Sequence, residues 1–227
     1  MLKRFGAFII IGIIAVFSIY MYNNSKSYVN TSAKVSGKTI IIDAGHGIPD
    51  GGASSQSGIK ESEINLKIAK ELKKLLERAK FNVIMTRTNA NSLSNLKKGN
   101  KSDDMKKRVQ IRNNSEGDIF ISIHLNHFSQ SQYRGAQVFY NPNNEKNPIL
   151  AQALQSNLID VADPNNTRTI KSTDSLYILN GANLPCALVE CGFLSNGEEA
   201  KLLASEKYQK IIAKSLYLGI CEYFAAE

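Results

Sequence analysis

The segment TIIIDAGHG, residues 39–47, is the clearest indication of the fold, because it joins a run of β-branched residues to a glycine-rich turn. A short run that is apolar throughout is typical of a strand buried on both faces. We therefore predict a strand over Thr39–Asp43 that leads into a loop carrying His46. The segments IFISIHL at 119–125 and ALVE at 187–190 have the same apolar character and predict two further strands.

Helical patterns alternate with these strands along the chain. Helices are predicted over residues 61–78, 105–114, 147–162, near Glu198 and over 206–224. Further strands are predicted over 82–87, 135–140 and 175–179, and the polar stretch 89–104 is expected to be a loop. This alternation predicts an α/β fold with a largely parallel sheet that helices cover on both faces. In such a sheet, functional sites form at the carboxyl ends of the strands.

Composition and charge exclude several classes of protein. Of the 227 residues, 43% are hydrophobic and 21% are charged, which indicates a globular domain rather than a disordered chain. Cys186 and Cys191 lie on opposite faces of one predicted strand, so we expect these thiols and Cys221 to be buried and free. The net charge of +8 favours an anionic partner such as a membrane or a cell wall. Nucleic acid is not expected, because no DNA-binding pattern accompanies the charge.

The first residues of the chain predict export. Lys3 and Arg4 precede an apolar run, 5–22, whose length lies between that of a signal-peptide core and that of a membrane span. The positive charges stay on the cytoplasmic side, so the remainder of the chain is expected outside. We assign residues 1–25 to a signal peptide or, preferably, an uncleaved membrane anchor, 26–37 to a flexible linker and 38–227 to one folded domain.

Ionisable side chains stand at the ends of the predicted strands. His46 follows the first strand, His124 and Glu190 lie at the ends of later strands, and Glu61 and Glu63 begin the first helix. Two imidazoles and one carboxylate are a known zinc-binding set that leaves a fourth position for water. A further carboxylate can then move protons. The residues alone favour a metal site over packed core histidines, with either glutamate of the helix as the carboxylate ligand.

Four ordered motifs resemble those of the Amidase_3 family, the zinc N-acetylmuramoyl-L-alanine amidases. They are IDAGHGIPDGGA at 42–53, Gly58 and Glu61 with Asn65 and Leu66, DIFISIHLN at 118–126, and PCALVECGFLSN at 185–196. The resemblance spans residues 38–224 and implies a twisted, mostly parallel six-stranded sheet. It implies one zinc ion held by His46, Glu61 and His124, with Glu190 as the catalytic acid and base. It also implies cleavage of the amide between N-acetylmuramic acid and L-alanine in peptidoglycan.

Two residues depart from the family pattern, and neither is a predicted ligand. Ile48 stands where many relatives have glycine, and Cys191 stands where a small or polar residue is common. These two differences affect how the substrate fits, not the chemistry of the site. Asn126 is a candidate substrate-binding residue at the end of its strand. His127 lies three positions after His124, so on a strand it faces the other side, and we expect a loop or cleft residue rather than a ligand.

Other polar residues have two interpretations each. Asp43 and Asp50 are either loop caps or hydrogen-bond partners of a metal ligand. Arg87 and Arg112 are expected to brace the fold, with contact to stem-peptide carboxylates as the alternative. Ser122 has no paired base in the sequence, so serine hydrolase chemistry is not supported.

Within the Amidase_3 family, the layout and the first motif resemble the germination-specific amidases of spore-forming bacteria. This resemblance implies action on spore cortex, muramic-δ-lactam formation and a location in the intermembrane space of the developing spore. A vegetative cell-separation amidase, a non-catalytic peptidoglycan-binding protein and a zinc peptidase that cuts within the stem are the alternatives. A protein activator or localising partner is expected in addition to the membrane segment.

Overall fold

A computed structural model describes residues 37–94 and 100–227, and a six-stranded sheet forms its centre. The strands are β1 (Thr39–Ala44), β2 (Asn82–Met85), β3 (Ile119–Asn126), β4 (Gln137–Tyr140), β5 (Lys171–Ser172) and β6 (Cys186–Phe193). Their order across the sheet is β2-β1-β3-β6-β4-β5. All neighbours run parallel except β4 and β6, which are antiparallel. The prediction of a mostly parallel six-stranded sheet is confirmed.

Helices cover both faces of this sheet. They are α1 (Glu61–Arg78), α2 (Lys101–Asn114), α3 (Asn147–Asn157), α4 (Gly197–Ala204) and α5 (Glu206–Ala226). A π-helical turn over Leu158–Ala162 continues α3, so the helix predicted over 147–162 is present. Residues of α1, α3 and α5 pack in the larger hydrophobic cluster on one face, whereas α2 packs in a smaller cluster on the other.

Strand β1 shows why an apolar run predicts a central strand. Ile40 and Ile42 belong to the larger cluster and Ile41 to the smaller one, because successive side chains of a strand point to opposite faces. All three are fully buried. Each contributes about 1.5–3 kcal/mol relative to an exposed side chain.

The strand predicted over 175–179 is wrong. Tyr177–Leu179 forms a 3-10 turn, and the edge strand is β5. Ile178 and Leu179 are buried, which explains the apolar pattern. The Ile178 carbonyl accepts a hydrogen bond from Arg112 Nη1 instead of a sheet partner.

The second helix begins earlier than the sequence predicts. The prediction starts it at Met105, but α2 begins at Lys101. The Asn100 side chain accepts hydrogen bonds from the backbone N–H groups of Ser102 and Asp103, and such a cap stabilises a helix start in polar sequence. The polar stretch 89–104 is therefore a loop only in part, and its residues 95–99 lie outside the described residues.

The cysteines agree with the prediction of free thiols. Cys186 and Cys191 are buried in different hydrophobic clusters, hence on opposite faces of the sheet. Cys221 on α5 is free and half-buried rather than buried.

The predicted signal or anchor segment, 1–25, and residues 26–36 of the predicted linker lie outside the described residues. Within 37–94 and 100–227, no helix has both the length and the apolar character that a membrane span requires.

Gly219 permits close contact between α5 and α3. A β-carbon at 219 would lie 2.8 Å from Leu154 Cα and 2.9 Å from the Ala153 carbonyl oxygen, so the two helices would have to separate. We expect Gly219→Ala to lower the free energy of unfolding by about 1–2 kcal/mol. Overpacking costs about 1–3 kcal/mol, and the better helix propensity of alanine returns only about 1 kcal/mol.

Denaturant unfolding measures this change. Gly197→Ala is the control, because no atom lies within 4 Å of a β-carbon added there, and its stability is expected to stay near that of the wild type. An unchanged unfolding midpoint for Gly219→Ala would contradict the close helix contact.

Candidate metal centre

The sheet brings the predicted site residues to one edge. Strand β3 lies between β1 and β6, so the ends that precede or carry His46, His124 and Glu190 are adjacent. His124 and Glu190 are direct partners in the β3–β6 register. Glu61 is the first residue of α1 and reaches the same edge from the helix layer.

Three of these side chains form a compact donor cluster. One ligand atom from each of His46, Glu61 and His124 lies within 4.8 Å of the others. Oε1 of Glu61 is 3.2 Å from His46 Nε2 and 3.0 Å from His124 Nδ1. Donor atoms on a tetrahedral zinc ion, with bonds of about 2.0–2.1 Å, would lie about 3.3 Å apart. The spacing and the chemistry of the donors therefore fit a zinc ion.

Bare backbone packs against these donors. A β-carbon on Gly45 would lie 2.3 Å from His124 Cε1 and 2.4 Å from its Nε2. A β-carbon on Gly52 would lie 2.5 Å from Glu61 Oε2 and 2.8 Å from His46 Cδ2. Gly52 also has φ +67°, a conformation that favours glycine. Glycine is thus required at both positions for the cluster to close.

Glu61 is held as an ionised carboxylate. Its Oε2 accepts from the Ala53 N–H at 2.9 Å and its Oε1 from the Leu125 N–H at 3.1 Å. Burial opposes ionisation, but hydrogen bonds from His124 and His46 outweigh it and lower the pKa of Glu61 far below its usual range. Glu63, the alternative carboxylate, is exposed and lies outside the cluster.

Asn65 belongs to the site as well, although its place in the second motif does not by itself predict a role for it. Asn65 is fully buried one helical turn after Glu61, and its Nδ2 donates to Glu61 Oε1 and to the Gly45 carbonyl, both at 3.3 Å. It therefore ties the carboxylate to the loop after β1. The spacing of Glu61 and Asn65 could have indicated this contact, because residues four apart on a helix are neighbours.

Asp50 fits both interpretations proposed for it. Its Oδ2 lies 2.9 Å from His46 Nδ1, and its Oδ1 accepts from the Gly52 N–H at 3.2 Å. Burial disfavours a charged imidazole, but Glu61 and Asp50 together raise the pKa of His46 to about 9. A carboxylate at Nδ1 fixes the orientation of the ring and leaves Nε2 directed at the cluster.

Asp43 has a structural role and forms no hydrogen bond with His46, Glu61 or His124. It accepts hydrogen bonds from Thr86 Oγ1, Ser122 Oγ and Arg108 Nη1, which joins β1 to its neighbours and to α2. Its pKa is lowered although burial acts in the opposite direction, since the Arg108 charge and these hydrogen bonds favour the carboxylate.

Two buried arginines hold the loop that carries His46. Arg87 donates to the carbonyls of Ala44 and Gly45, and Arg108 donates to those of Ala44 and His46. His46 itself has φ 60°, which is uncommon for a residue with a side chain and persists where surrounding contacts impose it. The expectation that Arg87 braces the fold is confirmed, and Arg112 does so as well.

Glu190 stands beside the cluster with a free acceptor. Within the described part of the chain, its buried Oε2 has no hydrogen-bond partner. Burial raises the pKa of Glu190 to about 7. The charge of Glu61 also raises this pKa, whereas His124 and His46 lower it. A carboxyl group with a pKa near neutrality can both accept and release a proton.

The remaining candidates, Asn126 and His127, lie at the end of β3 and outside the donor cluster. Asn126 is half-buried, and its Oδ1 accepts from the N–H of His127 at 2.8 Å. His127 is exposed and is not a member of the donor cluster. Its expected position in a loop or cleft is confirmed.

An aromatic surface lies on the β6 side of the cluster. Phe128 and Tyr133 are 51% and 40% exposed, and their ring centroids are 5.4 Å apart above the buried Phe193. The Arg168 guanidinium stacks 4.6 Å from the Phe193 centroid. We call Phe128, Tyr133, Phe193 and Arg168 the aromatic surface.

Comparison with known proteins agrees with this geometry. The family model of Amidase_3, described as N-acetylmuramoyl-L-alanine amidase, matches residues 40–222. The chain belongs to the Amidase_3 family. It is an enzyme, an N-acetylmuramoyl-L-alanine amidase whose substrate is cell-wall peptidoglycan.

Relatives of this amidase include a germination-specific N-acetylmuramoyl-L-alanine amidase of Bacillus subtilis, 38% identical over 90% of this chain and 87% of that protein. The CwlD amidase of Clostridioides difficile, solved in complex with the GerS lipoprotein, is 41% identical with a TM-score of 0.81, over 84% of this chain and 100% of that one. An N-acetylmuramoyl-L-alanine amidase of Clostridium difficile 630 is 30% identical with a TM-score of 0.75, over 85% and 99%.

Proposed function

We propose that this amidase is a zinc enzyme in which His46, Glu61 and His124 hold one ion and Glu190 moves protons. The observation that carries the proposal is the meeting of two imidazoles and a carboxylate within 4.8 Å of one another. Beside them lies a buried carboxyl oxygen that has no partner within the described residues. A zinc ion in such a set polarises a carbonyl group and lowers the pKa of water to about 7.

Glu190 carries the proton through the reaction. Its Oε2 accepts a proton from the attacking water, whose oxygen forms a bond to the amide carbon. As the carbon–nitrogen bond breaks, Glu190 returns the proton to the nitrogen of L-alanine. The products are a carboxyl group on the lactyl side and a free amine on the peptide. The pKa of Glu190, raised to about 7, suits both steps.

The other site residues orient these groups. Asp50 fixes the His46 ring through Nδ1, and Asn65 and two backbone N–H groups fix the Glu61 carboxylate. We include Asn126 as a substrate contact, because it ends β3 two residues after His124.

The spore cortex is the proposed substrate, with muramic-δ-lactam formation during germination-competent spore development. The 38% identity to a germination-specific amidase supports this placement. The structure of a 41% identical amidase in complex with a lipoprotein supports a protein partner. We further propose that residues 1–25 export or anchor the catalytic domain, 38–227, which places it in the intermembrane space of the developing spore.

Digestion of purified cortex by the full chain tests this function. We expect new L-alanine amino termini, loss of whole stems from the muropeptide masses, and activity that a chelator removes and zinc restores. Stems cut internally would indicate a peptidase, and chelator-resistant release of alanine would contradict the role of zinc. Equal cleavage of vegetative peptidoglycan would contradict the spore placement, and a His124→Ala chain with normal zinc content would contradict the ligand assignment.

A further inference from the structure

A cavity of about 430 Å³ lies between the loop that follows His46 and the helix that begins with Glu61. Its apolar wall comes from Ile48, Pro49 and Leu66, and its rim carries three lysines, Lys60, Lys67 and Lys70. We call these six residues the lysine pocket. Ile48 is two residues after His46, and Lys60 directly precedes Glu61, so residues that line the pocket flank two of the proposed metal ligands along the chain.

Ile48 stands on a fixed backbone. Its N–H donates to the Ala90 carbonyl at 2.8 Å, and its own carbonyl accepts from the Ser92 N–H at 3.0 Å. Its side chain is 50% exposed. This isoleucine therefore contributes a wall to the pocket rather than a contact to the core.

The three lysines provide positive charge that is not neutralised by ion pairs. Among residues 37–94 and 100–227, none of them forms an ion pair, whereas Lys73 and Lys74 on the same helix pair with Glu77 and Glu71. Glu63 is the one acidic residue among those that line the cavity. An anionic ligand therefore meets a net positive rim, where exposed charges interact over about 8–10 Å at ordinary ionic strength.

The opposite side of the metal centre has different chemistry. There the aromatic surface presents exposed rings, and the nearby Arg134 already pairs with Asp163 at 3.1 Å. Arg168 donates to the Arg134 carbonyl and to Gln137. Because β3 separates β1 from β6, the lysine pocket, which begins in the loop after β1, and the aromatic surface, which includes Phe193 of β6, lie on different sides of His124.

The two halves of the substrate match these two sides. On one side of the scissile amide is an uncharged sugar, and on the other is a peptide that begins with an alanine methyl group and continues with free carboxylates. We propose that the lysine pocket binds the carboxylate-bearing stem peptide and that Ile48 and the three lysines determine this specificity. The proposal rests on the proposed function for the location of the scissile amide.

Calorimetric titration of the full chain with L-alanyl-γ-D-glutamyl-L-alanine tests the proposal without turnover. The control is the same peptide with both carboxyl groups converted to uncharged amides. We expect tighter binding of the dicarboxylate, weakening with salt. Replacing the three lysines together by methionine, which keeps the aliphatic stem, is expected to weaken dicarboxylate binding about tenfold. Binding of the diamide is expected to stay unchanged.

Matched variants separate charge from shape. Lys73→Met with Lys74→Met removes two positive charges from α1 outside the pocket, and binding is expected to stay as in the wild type. Ile48→Ala is expected to weaken both peptides by about threefold, because it removes apolar contact common to both. All of these side chains except that of Lys73, which is half-buried, belong to exposed residues, and unfolding midpoints check that the fold is retained.

The proposal is overturned if the wild type binds both peptides equally or binds neither. It is also overturned if the triple variant still prefers the dicarboxylate. Release of L-alanine termini from peptidoglycan by the wild type, measured in parallel, reports separately on the proposed function. Its absence together with discriminating peptide binding would defeat that function, whereas its presence without discrimination would defeat the pocket assignment.

Discussion

Glu190→Gln is expected to lower the turnover of peptidoglycan by about 10²–10⁴-fold while the full chain keeps its zinc. Glutamine has nearly the volume of glutamate, so the edge between β3 and β6 keeps its packing. An amide cannot accept and return a proton, however, and Glu190 supplies the unpartnered buried oxygen beside the donor cluster. The three proposed ligands lie on other elements and keep their contacts with one another.

Release of L-alanine amino termini gives the rate, and elemental analysis of the same sample gives the zinc content. Glu198→Gln is the control, because this glutamate is exposed on α4 and its loss is expected to leave both quantities unchanged. Turnover that survives Glu190→Gln would contradict the proton-carrier role. Loss of zinc together with turnover would place Glu190 among the ligands instead.

The sequence predicts the central strands well because their burial is local in origin. In β1 and β3, consecutive apolar residues point to both faces of the sheet. The apolar run alone therefore indicates that both faces of the strand are buried. Residues 175–179 have a similar pattern but form a 3-10 turn. The Ile178 carbonyl accepts a hydrogen bond from Arg112, which is 66 positions away along the chain. A local sequence pattern cannot predict a contact between residues so far apart.

The candidate site divides in the same way. Strand ends and motifs predict that His46, His124 and Glu190 meet at one edge, because parallel strands end together. They do not decide between two roles for Asp50, because its two oxygens serve two different partners, a ring and a backbone N–H. They also give no reason for Gly45, whose φ is not in the left-handed region and whose role is purely spatial.

Gly45→Ala is therefore the sharper test of how the site is built. The added methyl would lie 2.3–2.4 Å from two atoms of the His124 ring, so the ring or the loop must move. The loop is fixed, since the Gly45 carbonyl accepts from Arg87 Nη2 and Asn65 Nδ2 and its N–H donates to the Ile123 carbonyl. The His124 ring is thus expected to leave its position against Glu61, with which it shares a 3.0 Å contact.

Displacing one ligand in this way should weaken zinc affinity by at least about 10–100-fold, the range found when ligand orientation is lost. Competition with a chelator measures the affinity, and turnover is expected to fall with it and to recover in part at high zinc. Gly197→Ala adds the same methyl where no atom lies within 4 Å, so its zinc affinity should equal that of the wild type. If Gly45→Ala also bound zinc normally, His124 would not be held against this loop, and the ligand set assigned to the edge of the sheet would lose its geometric basis.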